Sequence, residues 1–155
     1  MRGPDDLQAF IEAQAIPAEL LRLAAPTPTV EAAAAVVGCE PAQVIKTILF
    51  LVDGEPVVAI TSGLQHVDRR VLARRYDVGR KKVKLADADA VLTVCGYTVG
   101  GVPPFGFSTA LPVVIDESVL AHAAVYGGGG DDHTVVRVPP EGIQPLHNAE
   151  VLDLH

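Results

Sequence analysis

The chain has 155 residues, of which 49% are hydrophobic and 20% charged, and its formal net charge at pH 7 is −7. This length is typical of one domain with a buried core, and the composition excludes disordered and fibrous classes. Its two cysteines have no CxxC or Cys/His spacing, so we expect neither a metal site nor a disulfide framework. No signal-peptide core and no apolar run of ~20 residues is present, so we expect a cytoplasmic protein that makes no membrane contact.

Two helices are predicted in the N-terminal third of the chain. Asp5 is the expected N-cap of a helix that runs to about Gln14. Thr29 is the expected N-cap of a second helix, VEAAAAVV, and Gly38 is its C-terminal stop. The APTPT stretch at 25–29 is expected to connect them in an extended conformation.

A β-hairpin is predicted next. The β-branched and aromatic residues at 45–52 indicate a strand, DGEP at 53–56 a turn, and VVAITS at 57–62 an antiparallel return strand. Lys46 interrupts the apolar run of the first strand, and burying an ammonium group without a partner costs several kcal/mol or shifts its pKa. Two explanations remain open: Lys46 faces a polar pocket, or its stem covers apolar surface while the ammonium reaches solvent.

The second half of the chain mixes short strands and helices. Asp68 is the expected N-cap of the helix RRVLARRY, 81–85 is a short strand, and DADAVLTV is a helix ending at Gly96. A buried strand at 111–117, a short helical SVLAHA, a glycine-rich turn and a strand at 133–138 follow. Because there is no regular βαβ alternation, we predict a single α+β domain over 1–155, with a mixed, mostly antiparallel sheet surrounded by helices.

The segment GYTVGGVPPFGF at 96–107 is a candidate binding loop. Gly100 and Gly101 would allow the main chain to approach a ligand and offer N–H groups to a carbonyl or phosphate, while Pro103 and Pro104 would stiffen the loop. An ordinary tight turn is the competing interpretation.

Two further segments carry weaker candidates. The run YGGGGDDH includes Gly129 and Gly130, whose N–H groups would suit a pocket, although Asp131 and Asp132 oppose an anion there and a plain hairpin connection is the favoured interpretation. His66 lies in the turn after the predicted hairpin. No nucleotide-binding glycine motif, GxSxG or HExxH motif occurs.

Positive charge is concentrated in one short segment. Eight of the twelve Lys and Arg residues lie between 69 and 84 with one acid, which gives that window a charge of +7 and leaves −14 for the rest of the chain. Such a local field attracts a phosphate backbone more than the net charge suggests. A charged helix face in water is the competing interpretation.

Taken together and in order, these motifs resemble the YbaK/EbsC family of aminoacyl-tRNA editing domains, which is related to the editing insertion of bacterial prolyl-tRNA synthetases. The resemblance extends from about Thr29 to Leu154 through VEAAAAVVGCEPAQVIKTILF, SGLQHVDRRVLA, GYTVGGVPPFG, LPVVIDESVL and GGGGDDHTVVRVPPEGI. It implies the fold of the prolyl-tRNA synthetase-associated domain. Phe107, Gly128, Asp131 and Asp132 depart from residues that are common in relatives.

The resemblance also implies a function. It implies hydrolysis of the ester of a mischarged small amino acid on tRNA, with tRNA(Pro) as the first candidate, by a free-standing deacylase that needs no cofactor. Lys46 is the implied catalytic residue, acting as a cation or, second, as a base. The implied substrate-binding residues are Gly100, Gly101, Pro103, Pro104, His66, Asp116, Gly129 and Gly130.

The implied partners are an aminoacyl-tRNA and, as a second candidate, an aminoacyl-tRNA synthetase. The candidate tRNA-binding residues are Arg69, Arg70, Arg74, Arg75, Lys81 and Lys82. The alternative function is a non-catalytic module that binds an aminoacyl-tRNA end or a small ligand, or that acts as a synthetase partner. The residues leave the edited amino acid, the tRNA and the oligomeric state open.

Overall fold

The computed structural model describes residues 1–155 as five α-helices and eight β-strands arranged in two sheets. The helices are α1 (Pro4–Ala13), α2 (Val30–Val37), α3 (Arg69–Arg75), α4 (Ala88–Cys95) and α5 (Gln144–His147). The strands are β1 (Glu19–Arg22), β2 (Ile45–Val52), β3 (Glu55–Ser62), β4 (Val83–Leu85), β5 (Val113–Asp116), β6 (Val125–Gly128), β7 (Thr134–Val138) and β8 (Glu150–Leu152). None of the helices has the length and apolar character needed to cross a membrane.

The larger sheet has five strands in the order β4-β2-β3-β5-β8, and the smaller has three in the order β1-β7-β6. β3 and β5, and β5 and β8, pair in parallel, whereas all other pairs of strands are antiparallel. An isolated parallel bridge between Val44 and Tyr126 links the two sheets. The prediction of an α+β fold with a mixed, mostly antiparallel sheet is confirmed.

Local sequence signals correctly predicted the hairpin and three helices. β2 and β3 pair antiparallel with Lys46 opposite Thr61, although the turn is shorter than predicted and DGEP contributes its last two residues to β3. The Thr29 side chain caps α2 by accepting from the Ala32 N–H at 3.0 Å, and Gly38 ends it in the left-handed conformation. Asp68 and Asp87 likewise cap α3 and α4.

Other predictions were wrong in detail. Gly3, not Asp5, is the N-cap of α1, and Asp5 lies inside the first turn, where it forms an exposed ion pair with Arg22. β1 and β8 were not predicted, because each is a short strand of three or four residues. The predicted glycine-rich turn contains β6, in which Gly127 and Gly128 pair with β7.

Alternate residues of the larger sheet face two different cores. Leu49 and Val58 belong to a core that also includes residues of α1, α4 and the smaller sheet. Phe50 and Val57 belong to a second core, into which α3 inserts Leu72. Because neighbouring residues on a strand point to opposite faces, α3 covers the face of the larger sheet opposite the smaller sheet.

Glycines allow two loops to meet main chain to main chain. The Gly130 N–H donates to the Gly101 carbonyl at 2.9 Å. A Cβ placed on Gly101 would lie 2.7 Å from the Asp131 Cα, and one on Gly128 would lie 2.4 Å from the Val102 carbonyl oxygen. These glycines therefore serve close packing of the loop at 99–102 against the turn at 128–131.

This contact predicts that Gly128→Ala destabilises the protein. The new Cβ has only backbone to displace, so we expect a loss of about 1 to 3 kcal/mol in the free energy of unfolding, measured by urea denaturation. Gly79→Ala is the matched control, because no atom lies within 4 Å of its added Cβ and its φ of −68° suits alanine. Equal stability of the two variants would contradict this account of the loop contact.

Candidate active site

A cavity of about 430 Å³ opens beside the first half of β2. β4 pairs only with Phe50–Val52, so this half of β2 has no partner on the β4 side of the larger sheet and lies next to β6 instead. Of the 27 residues lining the cavity, 16 are hydrophobic, and Val58, Val91 and Cys95 connect it to the first core. The cavity thus combines an apolar wall with an opening at an unpaired sheet edge.

Three charged residues line the cavity, namely Lys46, Asp131 and Asp132. Lys46 is half-buried, and no carboxylate oxygen lies within 4.0 Å of its ammonium group. Its charge is therefore not neutralised by an ion pair and is available to an anionic or strongly polar ligand.

The loop at 99–102 forms part of the cavity wall, but its two glycines differ in whether their N–H groups are available to a ligand. Gly100 lines the cavity at a φ of +95°, a conformation that favours glycine, and its N–H has no acceptor within the protein. The Gly101 N–H donates to the Thr98 carbonyl at 3.0 Å, so it is already used. Val102 also lines the cavity, and its N–H has no internal acceptor.

The glycine turn does not offer the donors that the sequence suggested. The Gly129 N–H donates to the Thr134 carbonyl at 2.8 Å, and the Gly130 N–H is bound to Gly101. Gly127 and Gly128, rather than Gly129 and Gly130, line the cavity. The sequence alone could not show which of these four glycines line the cavity, because they are consecutive.

Pro103 and Pro104 are buried behind the loop and do not line the cavity. The Pro104 carbonyl accepts a hydrogen bond from His147 Nε2 at 2.7 Å, and the His147 ring stacks on Phe107 with centroids 5.6 Å apart. The prolines and α5 therefore hold the loop from behind.

His66 and Asp116 lie in a separate polar network. Asp116 is 1% exposed, and its carboxylate accepts from the Leu154 N–H at 2.8 Å and the Ser118 N–H at 3.0 Å. Burial raises the pKa of Asp116, but these hydrogen bonds, together with that from the Ser118 hydroxyl, outweigh it and hold the pKa below its ordinary value. The carboxyl group anchors the end of the chain to β5.

His155 connects this network to β3. Its Nε2 lies 3.4 Å from the Asp116 carboxylate and 3.1 Å from Thr61 Oγ1, and its Nδ1 donates to the His66 carbonyl at 2.7 Å. Thr61 is the residue opposite Lys46 in the hairpin. His66 thus contributes its backbone to a network next to Lys46 rather than a side chain to the cavity.

Three cavity residues escaped the sequence analysis. Cys95 forms part of the floor, and burial raises its pKa to about 11, so its thiol is protonated at neutral pH and is not a ready nucleophile. Thr47 and Thr134 also line the cavity, and their buried hydroxyl oxygens have no hydrogen-bond partner. The only sequence signal was a polar residue inside each predicted strand.

The basic residues predicted to bind tRNA form an exposed surface on α3 and on the 3₁₀ turn Arg80–Lys82. Three of them are ion-paired: Arg70 with Asp68, Arg75 with Glu150, and Lys82 with Asp53. Arg69, Arg74 and Lys81 have no carboxylate within 4.0 Å. Because α3 covers the second core, this surface and the cavity lie on opposite faces of the larger sheet.

β4 is an edge strand of the larger sheet and lies between the basic surface and the cavity along the chain. Lys84 is exposed on β4, and the next two residues, Leu85 and Ala86, line the cavity. The basic segment and the cavity lining therefore adjoin along the chain at this edge of the sheet.

Comparison with known proteins identifies the class. The family model described as the aminoacyl-tRNA editing domain matches residues 24–146. The chain therefore belongs to the aminoacyl-tRNA editing domain family. A crystal structure described provisionally as a trans-editing enzyme for prolyl tRNA synthetase superposes with a TM-score of 0.90 at 28% identity, covering 97% of this chain and 95% of that one.

Curated relatives agree with this assignment. The proline–tRNA ligase of Geobacter sp. (strain M21) is 32% identical over 105 residues, which cover 67% of this chain but 18% of the ligase. The chain thus spans less than a fifth of the length of that relative. YwhH of Bacillus subtilis (strain 168), a protein without a described function, is 24% identical over 79% of this chain and 77% of its own length.

The contact between His147 and the proline loop predicts a pH-dependent stability. Burial lowers the pKa of His147 below its ordinary value of 6.5, outweighing the bond to Pro104. The unfolded chain then binds the proton more readily, so this contribution is complete above about pH 6.5 and is lost as the pH falls below that value.

We therefore expect urea denaturation of the wild type to show a larger loss of stability between pH 7.5 and pH 5 than that of His147→Gln. Glutamine keeps a donor for the Pro104 carbonyl but does not titrate. Parallel pH profiles of the two proteins would contradict a lowered pKa of His147 in the folded protein.

Proposed function

We propose that this chain hydrolyses the ester bond between a mischarged small amino acid and the 3′-terminal ribose of a tRNA. The observation that carries the proposal is a cavity whose lining includes Lys46, which has no ion pair, together with Gly100 and Val102, whose N–H groups have no acceptor within the protein. Membership of the editing-domain family supports this assignment.

The reaction needs little from the protein because an aminoacyl ester is already activated. Water adds to the ester carbonyl, the bond to the ribose oxygen breaks, and the proton from water passes to that oxygen, giving the free amino acid and the tRNA hydroxyl. Preorganised hydrogen-bond donors stabilise the developing oxyanion, and each donor lowers the activation barrier by about 3 kcal/mol. The N–H groups of Gly100 and Val102 are the candidate donors.

Lys46 is the proposed catalytic side chain, acting as a cation that orients the ester carbonyl or the terminal phosphate. The cavity lining includes no serine or histidine. The neighbouring ribose hydroxyl of the substrate is therefore the proposed relay for the proton. A neutral Lys46 acting as a general base is the second option, since it needs desolvation or nearby cations.

The proposed tRNA is tRNA(Pro), because four of the matched relatives with identities of 31% to 34% are proline–tRNA ligases. The edited amino acid is identified by measuring the hydrolysis of tRNA(Pro) charged separately with alanine, cysteine, serine or proline. The absence of serine and histidine from the cavity also favours one alternative, a module that binds the aminoacyl end without turnover.

The Lys46→Met variant distinguishes the deacylase from the binding module. Methionine keeps the apolar stem but removes the charge, so we expect deacylation of the preferred ester to fall at least about 100-fold while the free energy of unfolding changes by less than about 1 kcal/mol. Lys84→Met is the matched control, since Lys84 is exposed and does not line the cavity. At saturating tRNA, it should change kcat less than about threefold.

Full activity of Lys46→Met would eliminate a catalytic lysine. Binding of charged tRNA by the wild type without any ester loss would instead establish the binding module.

The basic surface is the proposed contact for the acceptor stem of the tRNA. Arg74 and Lys81 have no ion pair, whereas Arg70 and Arg75 already do. We expect Arg74→Gln/Lys81→Gln to weaken tRNA binding and to reduce the slope of log K against log salt by about 0.7 to 0.9 for each charge removed. Filter binding between 50 mM and 200 mM salt provides the slope.

Arg70→Gln/Arg75→Gln is the comparison variant and should reduce the slope less, because these side chains are partly neutralised before binding. An unchanged slope in both double variants would place the tRNA elsewhere on the surface.

A further inference from the structure

The two carboxylates in the cavity have no role in the chemistry described so far. Asp131 and Asp132 line the same cavity as Lys46, so its charged lining consists of one cation and two anions. A phosphate or an oxyanion gains nothing from the anions, whereas a ligand that carries its own positive charge does.

Asp131 is held firmly at this place. Its side chain is 31% exposed, compared with 69% for Asp132. One carboxylate oxygen accepts the His133 N–H at 3.1 Å, and the backbone of Asp131 packs against Gly101, where an added Cβ would lie 2.7 Å from the Asp131 Cα. The carboxylate therefore has a fixed position relative to the loop that bears Gly100.

The same end of the cavity contains an unused polar group. Thr134 is 3% exposed and lines the cavity, and its hydroxyl approaches Asp131 without making a hydrogen bond of regular geometry. A buried hydroxyl without a partner costs free energy, which a polar ligand atom would recover. This observation points to a polar group of the ligand next to Asp131.

An aminoacyl ester supplies such a group. Its α-amino group is largely protonated below about pH 7 and lies about 2.5 Å from the carbonyl carbon, as the standard N–Cα and Cα–C bonds require. A carbonyl that binds at the Gly100 loop therefore places the ammonium within a short distance of the adjoining turn.

We propose that Asp131 binds the α-ammonium of the aminoacyl ester, so that the site accepts esters with a free α-amino group and rejects N-acylated ones. This specificity rests on the deacylase function proposed above. Asp131 acts here as a residue that determines specificity, and the Thr134 hydroxyl is a second contact for the same group.

The test compares alanyl-tRNA(Pro) with N-acetylalanyl-tRNA(Pro), and the corresponding seryl and cysteinyl pairs. We expect the wild type to hydrolyse the preferred free ester with a kcat/KM about 10- to 100-fold higher than its acetylated form, the range typical of a hydrogen bond to a charged group. Asp131→Asn should lower kcat/KM for the free ester to a similar extent and leave the acetylated ester nearly unchanged.

Asparagine retains the oxygen that accepts the His133 N–H, so the turn should keep its shape. Asp89→Asn is the matched control, because Asp89 is exposed on α4 and does not line the cavity. It should preserve the preference of the wild type.

Binding of 3′-deoxy-3′-(alanylamino)adenosine, which cannot be hydrolysed as an ester, tests the same contact without turnover. The wild type should bind it at least about 10-fold more tightly than its N-acetyl form, and Asp131→Asn should not discriminate. If no ester is hydrolysed but this preference appears, the proposed deacylase fails and the ammonium contact stands.

Three results would overturn the proposal. Equal hydrolysis of free and acetylated esters would overturn the ammonium contact and leave the deacylase function intact. Equal binding of the two adenosine analogues would also overturn the ammonium contact, in an experiment that does not depend on hydrolysis. Asp131, Asp132 and His133 also bring ligand atoms within 4.8 Å of one another. Loss of hydrolysis with EDTA and its recovery with Mn²⁺ or Zn²⁺ would assign the carboxylate to a metal instead.

Discussion

The candidate site depends on the close contact between the loop at 99–102 and the turn at 128–131. Gly101 and Gly128 leave no room for a side chain, because an added Cβ would lie 2.7 Å and 2.4 Å, respectively, from backbone atoms of the other segment. The contact joins the smaller sheet to the cavity wall and fixes Asp131 relative to Gly100. The contact uses the Gly130 N–H, and the Gly101 N–H donates to Thr98 within its own loop, so Gly100 and Val102 are the cavity residues of this loop whose N–H groups have no acceptor within the protein.

For the proposed deacylase, the rest of the cavity sets the selectivity for the amino acid. Its floor consists of core residues such as Val58, Val91 and Cys95, so the space available to an amino-acid side chain follows from packing in the core. One methylene changes binding in such a pocket by only about 1 to 3 kcal/mol, which makes a small side chain easier to select by steric exclusion than by attraction. Burial keeps the thiol of Cys95 protonated. Cys95 therefore contributes to the shape of the cavity floor and does not act as a nucleophile.

Sequence predicted what local signals determine and missed what depends on distant partners. The caps Thr29 and Asp68 and the anomalous Lys46 could be recognised from their immediate neighbours. The hydrogen bond from Gly130 to Gly101 could not, because the two residues are distant along the chain. Asp116 likewise accepts a hydrogen bond from the Leu154 N–H, 38 residues later, so its place outside the cavity depends on how the residues after β8 pack.

The position of a bound substrate analogue tests the central claim most directly. A crystal structure with 3′-deoxy-3′-(alanylamino)adenosine should place the alanyl carbonyl oxygen within about 3 Å of the Gly100 N–H, with Lys46 next to the ribose or carbonyl. The polar cleft lined by Asp116, Ser118 and His155 should remain without ligand. An analogue bound in that cleft, or in the cavity without contact to Lys46 and Gly100, would contradict the account.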